Sequence, residues 1–297
     1  MKSLLVTASV AVAALGTCAV ISAIGGQQVA DTKFRPPIEK PAYPVGTGPV
    51  VQIDEAHHNF HTATGRYSPF ADLLRRDGYV VKASAARLTA DALERGRVLV
   101  ISNANREAAL SESTSSDPSA FSAEEIAAVR EWVAAGGSLL LIADHEPWAP
   151  AAEALGRAFG IRFRGGMANT PENTSGRLVF RRSNGTLMDH PITKGIDEIA
   201  TFAGSSFEMD AGGEALLVFG PQTYSYSGQN EPAPVTGHLQ GAVLLYVKGR
   251  VAVFGEAAMF TAQLTGEDRH PMGMNAAIAQ QNPQFVLNVM HWLTNIM

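Results

Sequence analysis

Three short apolar runs in this chain each stop at acids or histidines, and that ending limits the folds open to it. Val50-Val51-Gln52-Ile53 runs into Asp54-Glu55-Ala56-His57-His58-Asn59-Phe60-His61. Ser138-Leu139-Leu140-Leu141-Ile142-Ala143 ends in Asp144-His145-Glu146, and Arg250-Val251-Ala252-Val253-Phe254 ends in Gly255-Glu256. Near-continuous apolar runs of this length read as strands covered on both faces, as in a parallel sheet. Right-handed crossovers carry consecutive parallel strand ends to one edge, and ligands bind outside that carboxyl edge. The three endings therefore point to one polar, concave site.

The segments between these runs carry helical periodicity. Residues 67–76 place Phe70, Leu73 and Leu74 on one face, Gly78 stops the helix, and Tyr79-Val80-Val81 is a strand. A short helix over 88–95 leads to the strand Val98-Leu99-Val100-Ile101. Residues 104–120 are polar and read as a long exposed loop. Ser122-Ala123-Glu124-Glu125 has the form of a capping box, opening a helix that Gly136-Gly137 ends. Another helix is expected over 149–159.

After Gly160 the pattern turns to short strands. Residues 177–180 and 186–188 flank Ser183-Asn184-Gly185, a hairpin signal. Further strands are expected near 199–202, 216–219 and 242–247, then a helical stretch over 257–264 and an amphipathic helix over 282–296. Together these elements predict a flavodoxin-like, three-layer α/β fold over residues 49–297, with a mainly parallel sheet and a β-rich insertion or extension between Gly160 and Val247.

The N-terminal part reads as a separate device. Lys2 precedes an uncharged, mostly apolar run over 4–26, the form of a cleaved export signal or of an uncleaved membrane anchor. Either would place the rest of the chain outside the cytoplasm, in the periplasm, in the medium or on the outer side of the membrane. Residues 27–48, with Pro36, Pro37, Pro41 and Pro44, are expected to be an extended linker that adds nothing to folding stability. Cys18 is the only cysteine; it falls in the apolar run, in a context that fits a lipidation motif poorly. Disulfides, zinc–thiolate sites and a cysteine nucleophile are therefore excluded from the folded part. A net charge of −5 makes no electrostatic case for nucleic acid. Membrane contact is expected only through the N-terminal run.

The order of these motifs resembles a known superfamily. The Asp54-Glu55-Ala56-His57 strand end, the Glu124-Glu125-Ile126 helix leading to Gly136-Gly137-Ser138, the later His190-Pro191-Ile192-Thr193-Lys194-Gly195 and the Gly249-Arg250-Val251 strand resemble the class I glutamine amidotransferase-like proteins. The nearest branches are the ThuA-like proteins and the extracytoplasmic domains related to gliding-motility and transporter auxiliary proteins. The resemblance covers residues 50–297. Amidotransferases of this superfamily use a cysteine on a strand-to-helix elbow, and the matching strand end here is Ala143-Asp144-His145-Glu146-Pro147. Glutamine hydrolysis by that route is excluded, and no Gly-x-Ser-x-Gly elbow offers a serine instead.

The residues then support two readings. In one, an extracytoplasmic domain binds a polar, carbohydrate-like small molecule or an envelope partner protein. Asp54, His58, His145, Gln263 and Asn275 are its candidate ligand contacts, and Gln263, Asn275, Gln281 and Asn282 make an amide-rich region suited to a polyol. In the other, His57 and His61, four apart as on one helical face, hold a divalent metal such as Zn, Mn or Fe, and Glu55, Asp144 or Glu256 serves a hydrolytic reaction. Against both stands the ordinary role of charged groups at strand ends, which is to hydrogen-bond loops and cap helices.

Overall fold

The structure is a computed structural model that describes residues 28–106, 118–173, 175–228 and 230–297. The export or anchor segment with Cys18, and the centre of the 104–120 loop, lie outside the described residues. In chain order the first half contains β1 (Val29–Ala30), β2 (Val50–Asp54), α1 (Ser68–Arg76), β3 (Val80–Ser84), α2 (Ala90–Leu93), β4 (Val98–Ser102), α3 (Ala123–Ala134), β5 (Ser138–Ile142) and α4 (Trp148–Arg157). There follow β6 (Ile161–Phe163), β7 (Met167–Asn169), β8 (Arg177–Arg181), β9 (Glu198–Phe202), β10 (Phe207–Met209) and β11 (Gly213–Val218). The chain ends with β12 (Tyr224–Tyr226), β13 (Ala233–Pro234), β14 (Leu239–Tyr246), β15 (Gly249–Phe254), β16 (Ala262–Thr265), β17 (His270–Gly273) and α5 (Asn282–Leu293).

The central sheet runs β3-β2-β4-β5-β15-β14-β10-β6, with β11 beside β14. From β3 to β15 all pairings are parallel. This is the flavodoxin-like order expected from the sequence, and Ile53, Ile101, Ile142 and Phe254 all lie in it. Side chains alternate across the sheet, as the strand period requires. Val51, Ile53, Val100, Leu140, Ile142 and Phe254 pack on one face with Phe70 and Leu74 of α1 and Phe285 and Val289 of α5. Leu99, Ile101, Leu139, Leu141, Val251 and Val253 pack on the other with Leu93, Val129, Val133 and Leu155. The capping box forms: the Ser122 side chain accepts from the Glu125 N–H and the Glu125 carboxylate accepts from the Ser122 N–H.

Between β5 and β15 the chain extends the same sheet with antiparallel strands instead of building a separate unit. Three smaller sheets, β13-β12-β7, β8-β9 and β1-β16-β17, complete the described fold.

Three expectations need correction. The hairpin around Ser183-Asn184-Gly185 does not form, because β8 pairs with β9 instead. A tight turn closed by left-handed Gly185 sends Leu187 away to bridge Leu217 of β11. The helix over 257–264 is a single 3-10 turn, Ala258–Phe260, followed by β16. Its apolar residues face a buried edge, which local periodicity cannot distinguish from one face of a helix.

The third correction concerns residues 28–48, which are bound to the domain and are not a free linker. Val29 and Ala30 pair with Leu264 and Gln263, and Phe34, Ile38 and Tyr43 pack against the core. The Ala42 N–H donates to the buried Asp77 carboxylate at 2.8 Å, and Arg76 donates to the Pro36 carbonyl at 2.8 Å. Gly78 adopts a φ of 97°, and a Cβ there would stand 2.3 Å from the Tyr43 carbonyl oxygen, so only glycine admits this crossing. Prolines hid the contact: they remove regular pairing without removing side-chain burial.

Candidate functional site

Asp54 ends β2, and Asn103, Asp144 and Glu256 follow β4, β5 and β15, so the parallel register brings all four to the carboxyl edge. They divide between two environments.

The first is a closed network. The His57 Nδ1 contacts both oxygens of Asp54, at 3.0 and 2.9 Å, and its Nε2 lies 3.2 Å from Glu125 Oε1. Asn59 donates to Asp54 at 3.0 Å, and Glu125 also accepts from the Leu88 and Ser122 N–H groups and from Arg87. Asp54, His57, Asn59 and Glu125 are all buried. Burial opposes protonation of His57, but the hydrogen bonds and charge of Asp54, then of Glu125, outweigh it and raise its pKa. Burial likewise opposes ionisation of Glu125, yet its donors pull its carboxyl down to about 2. Every polar atom of this network faces another, so it serves to clamp the loop after β2 to α3.

The second environment is a cavity of about 380 Å³. Asp144, His145, Glu256, His61 and Gln263 line it, together with the rings of Phe60, Trp148 and Phe202. The Asp144 carboxylate accepts from Asn103 Nδ2 at 2.7 Å and from the Ala257 N–H at 3.2 Å. Glu256 accepts from the Ala258 and Met259 N–H groups at 2.6 and 2.8 Å. Gly255 permits this placement, since a Cβ there would stand 2.2 Å from the Ser205 carbonyl oxygen. Burial raises Asp144 to about 6, and burial and then repulsion from Asp144 raise Glu256 well above the carboxylate range. The pair therefore retains a proton near neutrality. His61 is 2% exposed and Gln263 fully buried. Neither ring nitrogen of His61 and neither amide atom of Gln263 has a hydrogen-bond partner among the described residues. Burial, and then the charge of Arg66, lower His61 to about 3, so its ring is neutral and offers one donor and one acceptor.

The expectation that all the strand-end groups share one surface is thus corrected. Asp54 and His57 belong to the closed network. Glu55 turns back to accept from the Ala63 N–H at 2.8 Å, and His58 is exposed. Asn275 donates to Asp31 and to the Gln263 carbonyl, at 3.0 and 2.9 Å, tying the segment around β1 to the cavity wall. Gln281 and Asn282 hold the backbone of β9 and its approach. The helical spacing read for His57 and His61 does not arise. Residues 55–62 form no helix, so spacing by four does not put both rings on one face. Among the described residues no three His, Cys, Asp or Glu side chains converge to hold an ion.

Sequence reasoning passed over Asn103, Glu125, Phe60 and Trp148. The strand-end rule reaches Asn103 once amides are counted with acids. Trp148 opens the helix after β5 and is flagged by its position alone. Glu125 has no local signal for its contact with His57, since its capping role already accounts for it.

One consequence can be tested on stability. The Asp144 pKa in the folded protein is raised to about 6, from about 3.9 unfolded. Its contribution is therefore complete below the unfolded value and is lost as pH rises through about 6. Asp144→Asn should flatten the fall in stability across that window. Urea unfolding at a series of pH values measures it; an unchanged slope would refute the assignment.

No family model matches this sequence, and no curated protein matches it. Solved structures do. The mmIFT52 N-terminal domain aligns with a TM-score of 0.59 at 11% identity, covering 82% of this chain and 97% of that one. The cytoplasmic protein STM1381 from Salmonella typhimurium LT2 aligns with a TM-score of 0.50 at 12% identity, covering 82% and 98%. A ThuA-like protein from Bacteroides uniformis ATCC 8492 aligns with a TM-score of 0.48 at 14% identity, covering 87% and 94%. At such identities the likeness is one of fold.

Proposed function

We propose that this protein is a non-amidotransferase member of the class I glutamine amidotransferase-like fold, and that it binds a small polar, polyol-like molecule in the cavity at the strand ends. One observation carries the reading: His61 and Gln263 are buried at the cavity with four polar atoms unpartnered among the described residues. Leaving such groups unpaired costs about 1–3 kcal/mol each, and hydroxyl groups of a ligand would offset that cost. Phe60 and Trp148 supply flat apolar walls beside them, the usual mixture in a small-molecule site.

Thiol chemistry is no part of this function, because Asp144 and His145 stand where the amidotransferase elbow carries its cysteine. The metal-hydrolase alternative draws no support from the geometry, since His57 is engaged by two carboxylates and His61 lies elsewhere. Trp148 provides the test. A titration of the protein with neutral and amino-substituted sugars and polyols should show one that changes tryptophan fluorescence and raises the melting temperature. Gln263→Leu should weaken that response by about tenfold or more. A panel that leaves both signals unmoved would count against the reading.

The apolar run over residues 4–26 supports export as part of the same proposal. A reporter enzyme active only outside the cytoplasm, fused after residue 297, should be active in a bacterial host. An inactive reporter on an intact fusion would place the domain inside.

A further inference from the structure

We infer that the cavity takes a small organic cation, a hydroxylated molecule of monosaccharide size carrying a protonated amine. The inference rests on the cavity reading proposed above and narrows it to a class of ligand.

Charge and shape point the same way. Asp144 and Glu256 both line the cavity, and among its described lining residues there is no lysine or arginine. Arg66 stacks over the Phe60 ring, its guanidinium carbon 3.8 Å from the centroid, but does not line the space. An anionic ligand such as a phosphate or a carboxylate would meet two acids, with the His145 imidazole, whose charge favours the Asp144 carboxylate, as the one cationic group among the described lining residues. A neutral ligand would leave uncompensated the one negative charge that the proton-sharing pair keeps. An ammonium group relieves it directly, because a buried carboxylate is stabilised chiefly by an opposite charge within a few ångströms.

The backbone N–H groups already hold both carboxylates in place, so the acids are preorganised and need no rearrangement to accept a further donor. The ring of Trp148 adds an aromatic surface that favours a cation. His61 and Gln263 are neutral and present both donors and acceptors, which suits hydroxyl groups. The amine is thus assigned to the Asp144–Glu256 pair and the hydroxyl groups to His61 and Gln263.

The test uses isosteric pairs that differ only in the amine: glucosamine against glucose, galactosamine against galactose, and glucamine against sorbitol. Each is titrated into the full chain by calorimetry at about pH 7 and low salt. At least one amine should bind about tenfold or more tightly than its neutral partner. In Asp144→Asn that ratio should fall towards unity. If the variant fails to fold, the wild-type ratios alone decide. Ratios within about twofold for every pair, with binding observed, would overturn the cation assignment and leave the cavity reading standing. Absence of binding by all six compounds would overturn both.

Discussion

A chain beginning at Pro49 is expected to melt about 10 °C or more below one beginning at Gln28. The loss follows from the contacts of residues 28–48. Phe34, Ile38 and Tyr43 lie half-buried on the core, and re-exposing each costs on the order of 1–1.5 kcal/mol. Removal also strips Asp77 of the donor it receives from the Ala42 N–H, at 2.8 Å, and leaves β16 with an open edge where β1 lay. A sum of about 5 kcal/mol, at about 2 °C per kcal/mol for a chain of this size, gives the expected shift. Calorimetry on the two proteins measures it, and a shift under about 3 °C would restore the segment to the status of a linker. The same removal takes away Gln28, which lines the cavity. Binding should therefore weaken together with stability.

That contact was hidden in the sequence for a physical reason. Prolines and the absence of periodicity correctly exclude regular structure over 31–48, but Phe34, Ile38 and Tyr43 bury themselves one at a time in irregular backbone. The parallel half is readable because each of its strands is a short apolar run buried on both faces and each helix carries its own stop, such as Gly78 or Gly136. The antiparallel extension is less so: β8 chooses β9 over the nearer partner, a choice made by long-range packing of Val179 and Phe180 and not by the turn residues. The site divides in the same way. Asp144, His145 and Glu256 follow their strands directly, so chain direction alone sets their edge. The fate of His57 depends on Glu125, 68 positions away, and no local pattern announces that pairing. Gln263 reaches the cavity from a strand that reads locally as a helix.

Asp54→Ala should cost about 3–5 kcal/mol, the scale of breaking a buried ionic network by removing one member. Asp54 is fully buried and accepts from Asn59 and the Ala56 N–H while facing His57. Its removal leaves those groups unpaired and sets the His57 imidazole against Glu125 alone. The pH dependence identifies the cause. His57 has its pKa raised in the folded protein, so its stabilising contribution is complete below its unfolded value of about 6.5 and is lost as pH rises through the higher folded value. Wild-type protein should therefore lose stability across that alkaline window, and Asp54→Ala should lose less, because its histidine is no longer held protonated between two acids. Urea midpoints measured at pH values on either side of the window give both numbers. A variant within about 1 kcal/mol of wild type would point the other way. The carboxylate would then be dispensable to the fold, and the acid–histidine end of β2 would be a site kept for chemistry at a cost in stability.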